Sequence, residues 1–172
     1  TESALAIKLE SWECNLPSYI KLAYLPQIGL MRLRLTASSE DREVLSAVLD
    51  AEVAKVKTIL GDAIFALNDI TPQEVIGSLL RANNLTMATA ESCTGGYIAH
   101  LITSVSGSSD YFKGSVVAYA NEIKQRLLHV ADADLEKYGA VSRQVVEQMV
   151  RGAQSQFNAD VAVATSGIAG PL

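Results

Sequence analysis

Ser92, Tyr119 and Lys124 are the side chains of this sequence whose types and settings could do chemistry together. Ser92 lies in Thr89-Ala90-Glu91-Ser92-Cys93-Thr94-Gly95-Gly96, where a strand-like run breaks into glycines, and the tyrosine and lysine lie in Tyr119-Ala120-Asn121-Glu122-Ile123-Lys124. A serine hydroxyl attacks a carbonyl carbon when an unprotonated amine, assisted by a phenol, takes up its proton. This is acyl transfer without histidine, and amide hydrolysis is the reaction class it suggests. A lysine base needs a lowered pKa. If Asn121 caps a helix, Lys124 falls in its first turn, where the positive end of the helix dipole supplies such a push.

The glycines around these residues suggest how a substrate would be held. Backbone N–H groups of Thr94, Gly95 and Gly96, exposed where the next helix opens, offer an oxyanion hole or a phosphate cradle. In Ser166-Gly167-Ile168-Ala169-Gly170-Pro171, the glycines let the backbone approach a phosphate or ribose closely. Taken singly, each residue has a plainer role: a serine before a helix is a cap, a lysine is a solvated surface group, and a tyrosine is a half-buried strand aromatic. Their co-occurrence carries the argument. Cys93 is the stronger intrinsic nucleophile, but no histidine stands in a motif beside it, so it ranks below Ser92 as a packing residue. His100 and His129 read as ordinary helix or loop positions.

These residues must be placed by a layered α/β domain. Thr71-Pro72-Gln73-Glu74 is a capping box with proline at the first helical position, and it predicts a new helix over 72–82. Strand 85–90, helix 94–102, strand 115–120, a short helix from 121, helix 142–157 and strand 161–165 then alternate, as in an α/β fold. Ser92, Tyr119 and Ser166 would all sit at carboxyl ends of strands, where such folds collect ligands. Val116-Val117 and Val161-Ala162-Val163-Ala164 read as strands buried on both faces. Before this domain, a helix over 2–13 presents Ala4, Ile7, Leu9 and Trp12. A hairpin follows with Ile20, Leu22 and Tyr24 against Met31, Leu33 and Leu35, and turns Arg32 and Arg34 outward. A helix from Ser39 to about residue 60 faces inward with Val44, Leu45, Leu49, Val53, Val56 and Leu60. The expected division is a small α-β-β-α unit over 1–70 and the α/β domain over 71–172.

Composition narrows the partners. The 172 residues are 49% hydrophobic, enough for a sizeable core. No apolar run approaches the ~20 residues of a membrane span. The net charge of −5 divides as −3 over residues 1–70 and −2 over 71–172, so neither part has the concentrated basic surface of a nucleic-acid binder. Cys14 and Cys93 form no ligand pattern and no disulfide framework, which points to a reduced, cytoplasmic setting and to no metal or other cofactor.

Four motifs in order, TAESCTGG, GSSDYFKGSVVAYANEIK, YGAVS and SGIAGP, closely resemble the C-terminal domain of the competence-damage-inducible CinA family, over roughly 71 to the end. The resemblance implies a three-layer α/β/α sandwich with a mixed sheet and no metal. It also implies nicotinamide-mononucleotide deamidase activity in pyridine-nucleotide salvage, with the family's serine, tyrosine and lysine falling on Ser92, Tyr119 and Lys124. Thr94, Gly95, Gly96, Asn121, Gly167, Ile168, Ala169 and Gly170 are then the expected contacts to the pyridine nucleotide. Residues 1–70, through ESALAIKLESWE and LPSYIKLAYLPQIGLMRLRLTA, resemble the KH-like middle region of the same family. They lack a GxxG and a basic cluster, so RNA binding does not follow and a connecting, dimerising role is expected, making the protein a homo-oligomer. In that family an N-terminal domain precedes this region, and a glycine-rich loop, a strand pair and a helix follow SGIAGP. The sequence given is therefore expected to be truncated at its C-terminal end. The alternative function is a non-catalytic module that binds a nucleotide or a partner chain.

Overall fold

The computed structural model describes residues 2–27, 29–38, 41–168 and 170, and the chain divides into two compact units, Thr1–Leu67 and Asn68–Leu172. In the first, helix α1 (Glu2–Glu13) precedes an antiparallel hairpin of β1 (Ile20–Gln27) and β2 (Leu30–Ala37), and helix α2 (Arg42–Leu60) follows. The pairs Leu22↔Leu35 and Tyr24↔Leu33 alternate with Ala23↔Arg34 and Leu25↔Arg32. The period of two thus sends one set to the core and leaves Arg32 and Arg34 exposed.

Leu9, Trp12 and Val56 centre this core, with Leu5, Leu22, Tyr24, Leu33 and Leu35 packed around them. The inward stripe of α1 is therefore Leu5, Leu9 and Trp12, spaced at four and three, while Ile7 is 73% exposed. On α2 the inward stripe includes Glu52 in place of Val44, which is exposed. The Trp12 indole donates to Glu52 at 2.8 Å, and Lys55 donates to the other oxygen at 2.7 Å. Ser39, the expected start of α2, lies outside the described residues. Asp41 supplies the cap, accepting from the N–H groups of Glu43 and Val44.

The second unit opens with α3 (Pro72–Ala82), whose capping box forms as read: Glu74 accepts from the Thr71 N–H at 2.7 Å while Thr71 accepts from the Glu74 N–H. Strands β3 (Met87–Glu91), β4 (Phe112–Val117) and β5 (Val161–Thr165) form a sheet in the order β4-β3-β5. Both pairings are parallel, so the antiparallel part of the expected mixed sheet is not among these three strands. Helices α4 (Tyr97–Thr103), α5 (Asn121–Leu128), α6 (Asp132–Tyr138) and α7 (Arg143–Phe157) complete the unit. Ala90 packs with Leu128, Leu135, Val145, Met149 and Ala153, placing α5, α6 and α7 on one face of the sheet. Met87 packs with Leu80, Ile102 and Tyr111, placing α3 and α4 on the other. The result is an α/β/α sandwich.

All five residues of β3 are buried. The flanking strands are not buried on both faces as expected: Val117 is 47% exposed, and Val161 and Val163 are 37% and 41% exposed. A central strand has neighbours on each edge and helices on each face, and only β3 occupies that place. Gly152 lets α7 approach the end of α5, since a Cβ there would lie 2.7 Å from the Leu128 Cα.

Candidate active site

Ser92 stands one residue past β3, at the carboxyl end of the central strand. Its N–H donates to the Thr165 carbonyl at 3.0 Å and its own carbonyl accepts from Gly95 at 3.1 Å, which closes a tight turn. Gly95 and Gly96 carry this turn at φ +61° and +96°, a region that disfavours a side chain. The helix therefore begins at Tyr97 with Gly96 as its cap, later than the expected 94. Ser92 is buried to 8% exposure, and its hydroxyl makes no hydrogen bond among the described residues. The Gly95 N–H is spent on the turn, whereas the N–H groups of Cys93, Thr94 and Gly96 have no acceptor among the described residues.

Lys124 is the unusual residue of the site. Its side chain is 1% exposed, and Nζ donates to the carbonyls of Ala118 at 2.8 Å and Tyr119 at 3.1 Å. Ala118 in turn donates its N–H to the Glu91 carbonyl at 2.8 Å, so the amine is tied to backbone running beside the residue that precedes Ser92. Burial pushes the amine below the ordinary lysine range, and attraction to the Cys93 side chain pulls it part of the way back. Desolvation is thus the main cause of the lowered pKa, and Lys124 lies in the first turn of α5 as expected. Ala120, with no side-chain cap, occupies the position expected for Asn121, and Asn121 is the first residue of α5.

Tyr119 does not end a strand. β4 stops at Val117, and the Tyr119 side chain is 76% exposed, so its carbonyl and not its phenol meets Lys124. The strand ends early because the chain turns into α5, whose cap is Ala120 and first residue Asn121.

Beside Ser92 lies a cleft of about 540 Å³, walled by Cys93 and Thr94 after β3, Ser142 and Arg143 at the start of α7, and Thr165 and Ser166 at the end of β5. Ser92, Tyr119 and Lys124 are not on its wall. The Thr94 and Thr165 hydroxyls are hydrogen-bonded at 2.7 Å, and Ser166 donates to the Ala140 carbonyl at 2.7 Å. Gly167 lies so close to Cys93 that a Cβ would stand 3.2 Å from Sγ. Ile168 is 72% exposed, Gly170 has φ +104°, and Ala169 lies outside the described residues. Thr94, Gly167 and Cys93 are thereby brought together. Asn121, Ile168 and Gly170 are joined to them by no hydrogen bond among the described residues.

Glu91 escaped sequence reasoning. It is 0% exposed, and its carboxylate accepts from the N–H groups of Ile98 at 2.9 Å and Ala99 at 2.8 Å and from the Thr89 hydroxyl at 3.3 Å. Burial pushes its carboxyl up, but donation from Ala99, Ile98, Thr94 and Thr89 outweighs that and leaves it below the ordinary glutamate range. The available signal was a charged residue closing a strand of otherwise uncharged residues. Among the described residues, no three His, Cys, Asp or Glu side chains gather where they could hold a metal ion, and no helix is long and apolar enough to cross a membrane.

Comparison with known proteins places the chain among relatives. Residues 69–172 match the family described as CinA C-terminal domain, and residues 1–66 match the damage-inducible protein CinA KH domain. A CinA-like protein of Flavobacterium psychrophilum is 49% identical over 171 residues, covering 99% of this chain and 41% of the relative. One from Thermotoga neapolitana is 48% identical over 141 residues, covering 82% of this chain and 34% of the relative. The chain thus spans about two fifths or less of the length of these relatives. Among solved structures, the competence/damage inducible protein CihA from Agrobacterium tumefaciens superposes with a TM-score of 0.57 at 42% identity, over 58% of this chain and 60% of that one. A CinA superfamily protein from Escherichia coli gives 0.56 at 31% identity, over 65% and 68%.

Proposed function

Since the chain belongs to the CinA family and carries its KH and C-terminal domains, we propose that its second unit is a nicotinamide-nucleotide amidase, converting nicotinamide mononucleotide and water to nicotinate mononucleotide and ammonia. The observation that carries this reading is Lys124: an amine 1% exposed, with its pKa lowered by burial, tied to the backbone beside Ser92. An amine whose pKa is lowered towards the operating pH is a more competent general base. Ser92 Oγ attacks the carboxamide carbon, and its proton passes to Lys124. Collapse of the tetrahedral intermediate breaks the C–N bond, the proton leaves with the departing ammonia, and water then cleaves the acyl-serine ester. The unengaged N–H groups of Cys93, Thr94 and Gly96 are the available oxyanion donors. Tyr119 joins the relay by rotating its exposed phenol over the amine once substrate is bound.

A cytoplasmic homo-oligomer that works within a longer CinA protein, in pyridine-nucleotide salvage, completes this proposal. One observation favours a second reading, a non-catalytic nucleotide-binding module: among the described residues no hydrogen bond joins the side chains of Ser92, Tyr119 and Lys124 to one another, and Lys124 meets Tyr119 through the backbone carbonyl alone. Incubation of the full-length protein with nicotinamide mononucleotide separates the two. The amidase reading expects ammonia from the wild type and from Cys93→Ser, and none above background from Ser92→Ala. Full turnover by Ser92→Ala would remove Ser92 from the mechanism. Nucleotide binding with no ammonia from the wild type would favour the binding module.

A further inference from the structure

We propose that Glu91 is a positioning residue of this site, its buried carboxylate holding the turn that carries Ser92 and the backbone donors through hydrogen bonds to α4 and, by way of the Thr89 and Thr94 hydroxyls, to the two neighbouring strands. The proposal rests on the amidase reading for its consequence in catalysis.

Its physical basis begins with the period of a strand. Met87, Thr89 and Glu91 share the face of β3 that packs against α3 and α4, so the Glu91 side chain is delivered under the first turn of α4. That helix starts on Gly96, which has no side chain with which to cap it. A helix leaves its first N–H groups without partners, and an N-cap side chain normally accepts from the second or third of them. Glu91 does this from the strand, accepting from Ile98 and Ala99, the second and third helical residues. Strand end and helix start are thereby joined across residues 92–97, which contain the nucleophile and all three unengaged N–H groups.

Two hydroxyl chains extend the anchorage sideways. Thr89 contacts Ser115 of β4 at 2.7 Å and Glu91 at 3.3 Å. Thr94, which also hydrogen-bonds Glu91, contacts Thr165 of β5 at 2.7 Å. Among the described residues no lysine or arginine forms an ion pair with this carboxylate. Its charge is met by backbone N–H groups and hydroxyls, all of them donors. An amide in its place would turn an NH2 group towards one of those donors and leave it unpaired, which loosens the turn without altering the shape of the side chain.

The test is Glu91→Gln in the full-length protein, read by two measurements. With nicotinamide mononucleotide, kcat is expected to fall by about 30-fold or more while KM stays within about 3-fold, because misplacement by a fraction of an ångström acts on the reacting atoms and spares remote contacts. Amide hydrogen exchange at Ile98 and Ala99 is expected to rise by about 10-fold with that of Val145 in α7 unchanged. A kcat within about 3-fold of wild type, or unaltered exchange at Ile98 and Ala99, overturns the proposal. If the wild type releases no ammonia and exchange still rises locally, the positioning role stands and the substrate reading falls. Should Glu91→Gln fail to fold, Thr89→Val removes one donor and is expected to lower kcat by about 3–10-fold, and an unchanged kcat overturns the proposal there.

Discussion

Gly167→Ala tests whether the approach of the β5 loop to Cys93 sets the geometry around Ser92. The added Cβ would lie 3.2 Å from Cys93 Sγ and 3.8 Å from Cys93 Cβ. Non-bonded heavy atoms prefer a separation of about 3.5–4.0 Å, so one side must yield by roughly half an ångström. Mild overpacking of this kind costs about 1 kcal/mol, too little to unfold the domain. The activity should respond more, because a misplacement of about 1 Å costs on the order of 100-fold in rate, and half of that about 10-fold. Cys93→Ala removes the sulfur and leaves the Cβ contact at 3.8 Å, which is ordinary van der Waals distance. The double variant should therefore recover to within about 3-fold of Cys93→Ala alone, a non-additivity expected of residues in contact. The assay is ammonia release from nicotinamide mononucleotide at saturating substrate, with thermal melts of all four proteins alongside. A Gly167→Ala protein at the wild-type rate, or a double variant no faster than the single, refutes the reasoning.

Three further outcomes follow from the same geometry. Because burial lowers the Lys124 pKa, the amidase rate should rise with pH and level off below the ordinary lysine value of about 10.4. In that window the unfolded chain binds more protons than the folded one, so stability also rises with pH towards about 10.4 and falls as pH drops through the folded pKa. Lys124→Met should flatten both profiles, and Lys124→Arg should abolish the rate because a guanidinium keeps its proton; a pH-independent wild-type rate over the neutral range counts against a titrating amine. The Tyr111 hydroxyl is buried with no hydrogen-bond partner among the described residues, and a Cβ at Gly77 would lie 2.5 Å from it. Tyr111→Phe should thus leave urea stability equal or up to about 1 kcal/mol higher and lessen the loss caused by Gly77→Ala; a drop of more than about 1 kcal/mol would show that the hydroxyl is satisfied. In the first unit, Glu52→Ala strands the Trp12 indole N–H and should cost about 1–3 kcal/mol at pH 7. The hydrogen bond from Lys55, partly offset by burial and aided by Trp12, lowers the Glu52 pKa, so this contribution is present above the unfolded value of about 4.3 and disappears as pH falls through the folded one. Equal denaturation midpoints for the two proteins at pH 7 would contradict it.

Where local chemistry decides structure, the residues announced it. The Thr71 and Glu74 capping box, the helix beginning after Ser142, the strand Val161–Thr165 and the outward Arg32 and Arg34 follow from bonds or periodicities that span only a few positions. The inward faces of α1 and α2 were less legible: Ile7 and Val44 fit a loose helical pattern yet face outward, and Glu52 faces inward because Trp12, 40 residues away, offers it a hydrogen bond. Strand ends were less legible too: β4 stops at Val117 and not at 120, because the chain there already turns into α5.

Sequence by itself determined the two-part plan, the α/β class and the positions of Ser92 and Lys124 at strand and helix ends, because turn chemistry and hydrophobic period act locally. Tertiary structure alone decided that Lys124 is buried and held by two carbonyls, that the Tyr119 phenol points to solvent, and that Glu91 is the hub beneath the turn. Burial and charge environment are set by which elements meet across the sheet, and residues distant in the chain meet only when it folds.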